Sequence, residues 1–219
     1  MLNQAPADAQ TLANILTDVR GYYDAKIQTH GPGARGVDWN SEASQQLRFK
    51  QLLKICADAG PFTLTDYGCG YGALLAYAAG MDRMILYRGF DVSEQMIMRA
   101  RELHAGRSRC EFFTDAGQLV PTDYTVASGI FNVRLNHDAA SWQAYLLDTL
   151  CRLDACSTRG FAFNALTSYS DPPRMRPDLY YADPCVLFHY CKHRFSRNVA
   201  LLHDYGLYEF TILVTKQEA

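Results

Sequence analysis

The segment that most constrains this chain is Asp66-Tyr67-Gly68-Cys69-Gly70-Tyr71-Gly72. It separates an apolar run, Phe62 to Asp66, from a run of small and apolar residues, Ala73 to Ala79. The first run has the composition of a buried strand and the second that of a helix. Glycines at alternate positions let the main chain turn where a side chain would obstruct it, and let a ligand approach the backbone closely. The helix leaving the turn offers unpaired N–H groups and the positive end of its dipole to an anion. A strand feeding a helix through such a turn belongs to an α/β sheet, where ligands bind beyond the carboxyl ends of the strands.

The rest of the chain repeats the alternation. Residues 8–28 read as a helix on the spacing of Leu12, Ile15, Leu16 and Val19, and the loop HGPGARGVDWN follows it. Ser41 reads as the N-cap of a helix carrying Leu47, Leu52, Ile55 and Cys56. After the glycine turn and its helix come a strand from Met84 to Asp91, a helix capped by Ser93, and short strands at Cys110–Phe113 and Tyr124–Ser128. A helix capped by Ser141 precedes a strand from Gly160 to Leu166. Residues 167–183 are a long polar and aromatic loop, and Asp183-Pro184 opens a short helix from Cys185 to Arg194. Val199–His203 and Tyr208–Thr215 close the chain as a hairpin around Gly206. This order predicts an α/β fold: a doubly wound, mostly parallel, seven-stranded Rossmann-like sheet with a C-terminal antiparallel hairpin strand and an N-terminal helical cap. Residues 1–59 form the cap and 60–219 the ligand-binding part of one domain.

Composition narrows the class. Of 219 residues 48% are hydrophobic and 20% charged, the balance of a globular protein, and the formal net charge of -2 exerts no general pull on nucleic acid or anionic membrane. No apolar stretch approaches the roughly 18 residues of a membrane span, and the start MLNQAPADAQ lacks the pattern of a signal peptide. These features predict a cytoplasmic protein without a membrane partner. The seven cysteines are odd in number and form no CxxC pair, so they read as small buried hydrophobes rather than disulfides or metal ligands.

Two acids complete the pattern around the glycine turn. Asp91 ends the second strand, where a carboxylate can accept from both hydroxyls of a ribose, and Asp115 follows the third strand in Phe113-Thr114-Asp115-Ala116. A nicotinamide dinucleotide site would prefer a glycine where Ala73 stands, although alanine is tolerated there. The run D-x-G-C-G-x-G, then GFDVSEQM, then TDA, resembles the cofactor-binding motifs of class I S-adenosylmethionine-dependent methyltransferases. By motif the resemblance covers roughly residues 60–135. It implies S-adenosyl-L-methionine as cofactor and S-adenosyl-L-homocysteine as product. It further implies that Gly68, Cys69, Gly70 and Gly72 lie against the methionine part, that Asp66 organises the loop and that Asp91 holds the ribose. Val92 and Met96 would flank the adenine, Asp115 and Ala116 would meet its edge, and Ser128, Gly129 and Phe131 would lie near the sulfonium. The family's NPPY signature for amino groups of nucleobases is absent; the segment here is SGIFNVRLNHD.

Methyl transfer from a sulfonium requires alignment and exclusion of water, with a base only for a poor nucleophile such as an alcohol. His137 and His203 are the candidate bases, each with the alternative of a purely structural role. In the loop 167–183, Tyr169, Arg174, Tyr180 and Tyr181 are the candidate acceptor contacts, the arginines there suiting a phosphate or carboxylate. Tyr22, Tyr23, Lys26 and Trp39 suit a lid hinged at Gly31, Pro32, Gly33 and Gly36, and equally a helix face packed against the domain. The expected activity is methylation of oxygen or nitrogen in a small polar metabolite, anionic or sugar-like. The alternatives are an RNA or protein methyltransferase, which a basic stripe of Arg174, Arg176, Lys192, Arg194 and Arg197 would favour, and a non-catalytic cofactor-binding subunit.

Overall fold

The structure, a computed structural model, describes residues 8–56, 60–81 and 83–216. The reading of the N-terminal decapeptide therefore falls almost wholly outside the described residues.

Seven strands form one sheet: β1 (Phe62–Tyr67), β2 (Ile85–Phe90), β3 (Cys110–Phe113), β4 (Thr122–Ala127), β5 (Ser157–Leu166), β6 (Asn198–Leu202) and β7 (Glu209–Thr215). Their spatial order is β3-β2-β1-β4-β5-β7-β6. β1 to β5 run parallel, while β7 lies antiparallel between β5 and β6. The order reverses direction between β1 and β4, and that switch point is where a doubly wound sheet opens a crevice. The fold is thus the Rossmann-like one that the alternating pattern predicts.

Six α-helices cover the faces: α1 (Ala9–His30), α2 (Glu42–Leu52), α3 (Ala73–Ala78), α4 (Glu94–Leu103), α5 (Ala139–Ala155) and α6 (Pro184–Arg194). The period-2 alternation of β5 separates two cores. Phe161, Phe163 and Ala165 pack with α5, α6 and the Ile15 and Val19 face of α1. Ala162 points the other way, to Phe49 and Leu52 of α2, Leu74 of α3 and Ile97 of α4. α2 and the 3-10 turn that follows it (Leu53–Cys56) therefore contribute to one core of the sheet and α1 to the other, and the 3-10 turn at Ala34–Val37 follows α1.

Local chemistry explains most element starts, with two differences from the sequence reading. α5 is capped by Asp138, whose carboxylate accepts from the amides of Ala140 and Ser141 at 3.0 and 2.9 Å. Ser141 is the third helical residue and donates its hydroxyl back to Asp138 at 2.7 Å, so the cap lies three residues upstream of the expected one. The buried stripe of α2 runs through Gln45, Arg48, Phe49 and Leu52, with Leu47 only partly buried. Among the described residues no helix is long and apolar enough to cross a membrane, and all seven cysteines are free thiols.

Candidate active site

The glycine turn is fastened to the end of β2 by two amides: Gly68 and Cys69 both donate to the carbonyl of Phe90, at 2.7 and 2.9 Å. Gly68 has φ +79, a left-handed conformation, and a Cβ there would collide with Ile130. Asp91 lies directly beyond β2. Its carboxylate accepts from the Gly70 amide at 2.8 Å and from the Ser93 amide at 2.9 Å, so it joins the turn to the start of α4. Burial pushes its pKa up to about 6, against the opposing effect of those two amides. Asp66 sits deeper, 2% exposed, and accepts from the Tyr87 hydroxyl at 2.6 Å. Burial raises its pKa to about 7, against the opposing effect of that hydroxyl; the neighbouring Asp91 also raises it.

The crevice above these groups is narrow, about 90 Å³, below the ~300 Å³ at which small-ligand pockets usually begin. Side chains of the N-terminal segment fill it. α1 contributes Val19, Arg20 and Tyr23, and the following turn contributes Val37 and Trp39. Asp38, left-handed at φ 59, holds that turn to α1 by accepting from Tyr22 Oη at 2.7 Å and Lys26 Nζ at 2.6 Å. α1 is tied to the body by Asp24, which accepts from the Ser93 hydroxyl, and Asp18 lies 3.1 Å from His137 Nε2. The Trp39 ring lies directly over Gly129, which has φ +76 and no room for a side chain. Beside it, Ser128 Oγ is buried without a hydrogen-bond partner.

A second cavity of about 480 Å³ adjoins the first, with Tyr23, Val37 and Trp39 forming part of the lining of both. Its other residues include Arg48, Asn132, Ser170, Arg174, Arg176, Tyr181 and Glu209. Arg48 and Glu209 are a buried ion pair, with Nε 2.7 and 2.8 Å from the two carboxylate oxygens and Nη2 2.5 Å from one. The guanidinium stacks on Trp39 at 3.9 Å. Glu209 also accepts from Asn164 Nδ2 at 3.1 Å, and Asn164 Oδ1 accepts from the Gly129 amide at 2.7 Å. A continuous polar chain thus runs from the second cavity to the floor of the first.

Of the residues expected to contact cofactor, Gly68, Gly70, Asp91, Val92, Met96, Ser128 and Gly129 line the crevice, and Asp66 and Cys69 line a small extension of it. Gly72 faces a separate depression beside His104. Asp115 and Ala116 are exposed and do not line the crevice; Asp115 accepts from the Gly117 amide at 2.8 Å. Phe131 is fully buried against Phe163 and Tyr145, and its neighbour Ile130 faces the crevice instead. Neither candidate base lines either cavity: His137 lies beside Asp18 and stacks near Trp142, and His203 is exposed beside Tyr169. Arg174 and Tyr181 line the second cavity, whereas Tyr180 packs against the core and Tyr169 is exposed. Arg48, Glu209 and Tyr145 were not singled out by the sequence; a charged residue inside an apolar stripe was the one available signal for Arg48.

No family model matches the chain. A Mycobacterium tuberculosis protein named "Putative methyltransferase Rv1506c" is 54% identical over 164 residues, covering 75% of this chain and 99% of that protein. The chain belongs to the methyltransferases. Solved methyltransferase structures share its fold at low sequence identity. Magnesium protoporphyrin IX methyltransferase from Synechocystis PCC 6803, determined with bound SAM, superposes with a TM-score of 0.63 at 16% identity, covering 98% of this chain and all (100%) of that one. The methyltransferase domain of a bacterial Hen1 has a TM-score of 0.59 at 15% identity, covering 78% and 97%. These neighbours establish the architecture of this methyltransferase, and their differing names leave its acceptor open.

Proposed function

We propose that this methyltransferase uses S-adenosylmethionine, held in the crevice at the ends of β1, β2 and β4, to methylate oxygen or nitrogen of a small polar metabolite in the adjoining cavity. The observation that carries the reading is the pair of cavities separated by Tyr23, Val37 and Trp39. One cavity has the donors and acceptors for an adenosine-linked amino acid, and the other has polar walls.

The crevice residues fit the cofactor. Gly68, Gly70 and Gly129 line the crevice without side chains of their own, Ser128 Oγ is buried without a partner, and Asp91 is fixed by two amides at the position where a ribose would be gripped. The bound cofactor would supply a methyl group already activated by its sulfonium. The chain's own task is then to align the acceptor atom and exclude water, which the cap of α1 and Trp39 is placed to do. The narrowness of the crevice implies that Trp39 and Val37 shift outward to admit the ligand. Arg174 and Arg176 line the second cavity while Lys192, Arg194 and Arg197 line a different depression with Lys216, a division that favours the small-metabolite reading over RNA.

Calorimetry with S-adenosylhomocysteine and tritium transfer from labelled S-adenosylmethionine into a small-metabolite extract test the proposal together. Saturable binding with label in low-molecular-weight products is expected. Label appearing only in RNA or protein, or no binding at all, would overturn it.

A further inference from the structure

The second cavity contains a group whose position the reading above leaves unused. Arg48 is 6% exposed, lines the cavity, and spends only Nε and Nη2 on Glu209. Its Nη1, with two N–H donors, is buried without any partner. An unpaired buried donor on a guanidinium costs more than an ordinary lost hydrogen bond, and an anionic acceptor brought against it would recover that cost. Trp39 on one face and Glu209 at the opposite edge fix the plane of the guanidinium, so the free nitrogen is presented in one orientation.

The surroundings define what acceptor would fit. Arg174 and Arg176 line the same cavity from the loop after β5. Arg176 is partly engaged by Asp178 at 2.5 Å, and Arg174 lies over the ring of Tyr208. Glu209 is already paired with Arg48, and Asp38 is already held by Lys26 and Tyr22. The unsatisfied potential of the cavity is therefore for negatively charged oxygen.

We propose that Arg48 Nη1 is the specificity-determining donor of the acceptor site, and that the methyl acceptor carries an oxyanion, a carboxylate or a phosphate, which Arg48 binds with help from Arg174 and Arg176. The proposal rests on the second cavity being the acceptor site, and it gives that site a chemical class of substrate.

Trp39 provides a direct readout, because it stacks on the group in question and the chain has only 2 tryptophans. In a Trp142→Phe background, the full chain is titrated with inorganic phosphate and, separately, with malonate, at constant ionic strength held by chloride. A saturable change in Trp39 emission with at least one of them is expected. Preference for phosphate over malonate, or the reverse, distinguishes the two sources of the oxyanion. Arg48→Lys keeps a positive charge opposite Glu209 and so guards against simple unfolding, but it lacks the second nitrogen. It is expected to weaken the response about tenfold or more, with a cooperative thermal transition showing that the variant remains folded. Arg174→Ala/Arg176→Ala is a second variant, remote from the buried pair, and is expected to weaken the response less. No saturable response to either anion, or an undiminished one in Arg48→Lys, would overturn the proposal. S-adenosylhomocysteine binding, measured by calorimetry on the same samples, separates the two failures. Its loss would count against the cofactor reading, whereas its retention without an anion response would count only against the role of Arg48.

Discussion

Asp66 is a carboxylate kept from water with a single recorded hydrogen bond, from the Tyr87 hydroxyl, and its folded pKa lies near 7 against an ordinary value of 3.8. The folded chain therefore retains a proton that the unfolded chain has already lost between about pH 4 and pH 7. In that window the unfolded state binds fewer protons, so stability falls as pH rises and levels off above pH 7. Asp66→Asn can still accept from Tyr87 but does not titrate. It is expected to reduce the loss of stability between pH 4 and pH 8 by on the order of 2–4 kcal/mol, measured by denaturant unfolding across that range. An unchanged pH slope would exclude Asp66 as its source. Asp91 was legible in the sequence because an acid at the end of a parallel strand has one obvious place to act. Arg48 was not, because a lone arginine between Leu47 and Phe49 reads as an exposed helix residue until Glu209, 161 positions away, is seen beside it.

At the scale of elements, α4 shows how one residue serves two purposes. The Ser93 hydroxyl accepts from the Met96 amide at 3.0 Å, capping the helix, and donates to Asp24 of α1. Ser93→Ala is expected to cost about 1–2 kcal/mol through loss of the cap. It should also speed hydrogen exchange of the amides in the second half of α1 while leaving those of α5 unchanged. Equal exchange in both helices would show that the tie to Asp24 does not hold α1. The cap of α4 was readable from sequence, since Ser93 precedes an amphipathic run. The cap of α5 was misplaced at Ser141: Asp138 stands outside the helix as its cap and Ser141 lies in its first turn. In the turn after β3, Asp115 accepts from the Gly117 amide of its own loop, a local bond that the sequence reading did not include.

For the molecule as a whole, the sheet was legible because every parallel strand except β3, which has only the 3-10 turn Ala116–Gln118 after it, is followed by an α-helix, and crossovers have one hand. The sequence left open which strand of the closing hairpin lies inside. β7 does, since Phe210, Ile212 and Val214 are fully buried while β6 keeps a partly exposed edge. Nor did the sequence reveal how far the N-terminal segment descends, because the contact of Trp39 with Gly129 joins residues distant in the chain. Binding of S-adenosylhomocysteine is expected to lift Trp39 from Gly129 and change its emission in the Trp142→Phe variant; binding without any change would show that the ring stays in place. Tyr23, Val37 and Trp39 are a wall common to both cavities. On the proposed reading the two ligands are therefore felt by one another through that wall, and the apparent affinity for S-adenosylhomocysteine is expected to change when the second cavity is filled; identical affinities with and without the anion would show that the wall does not couple them.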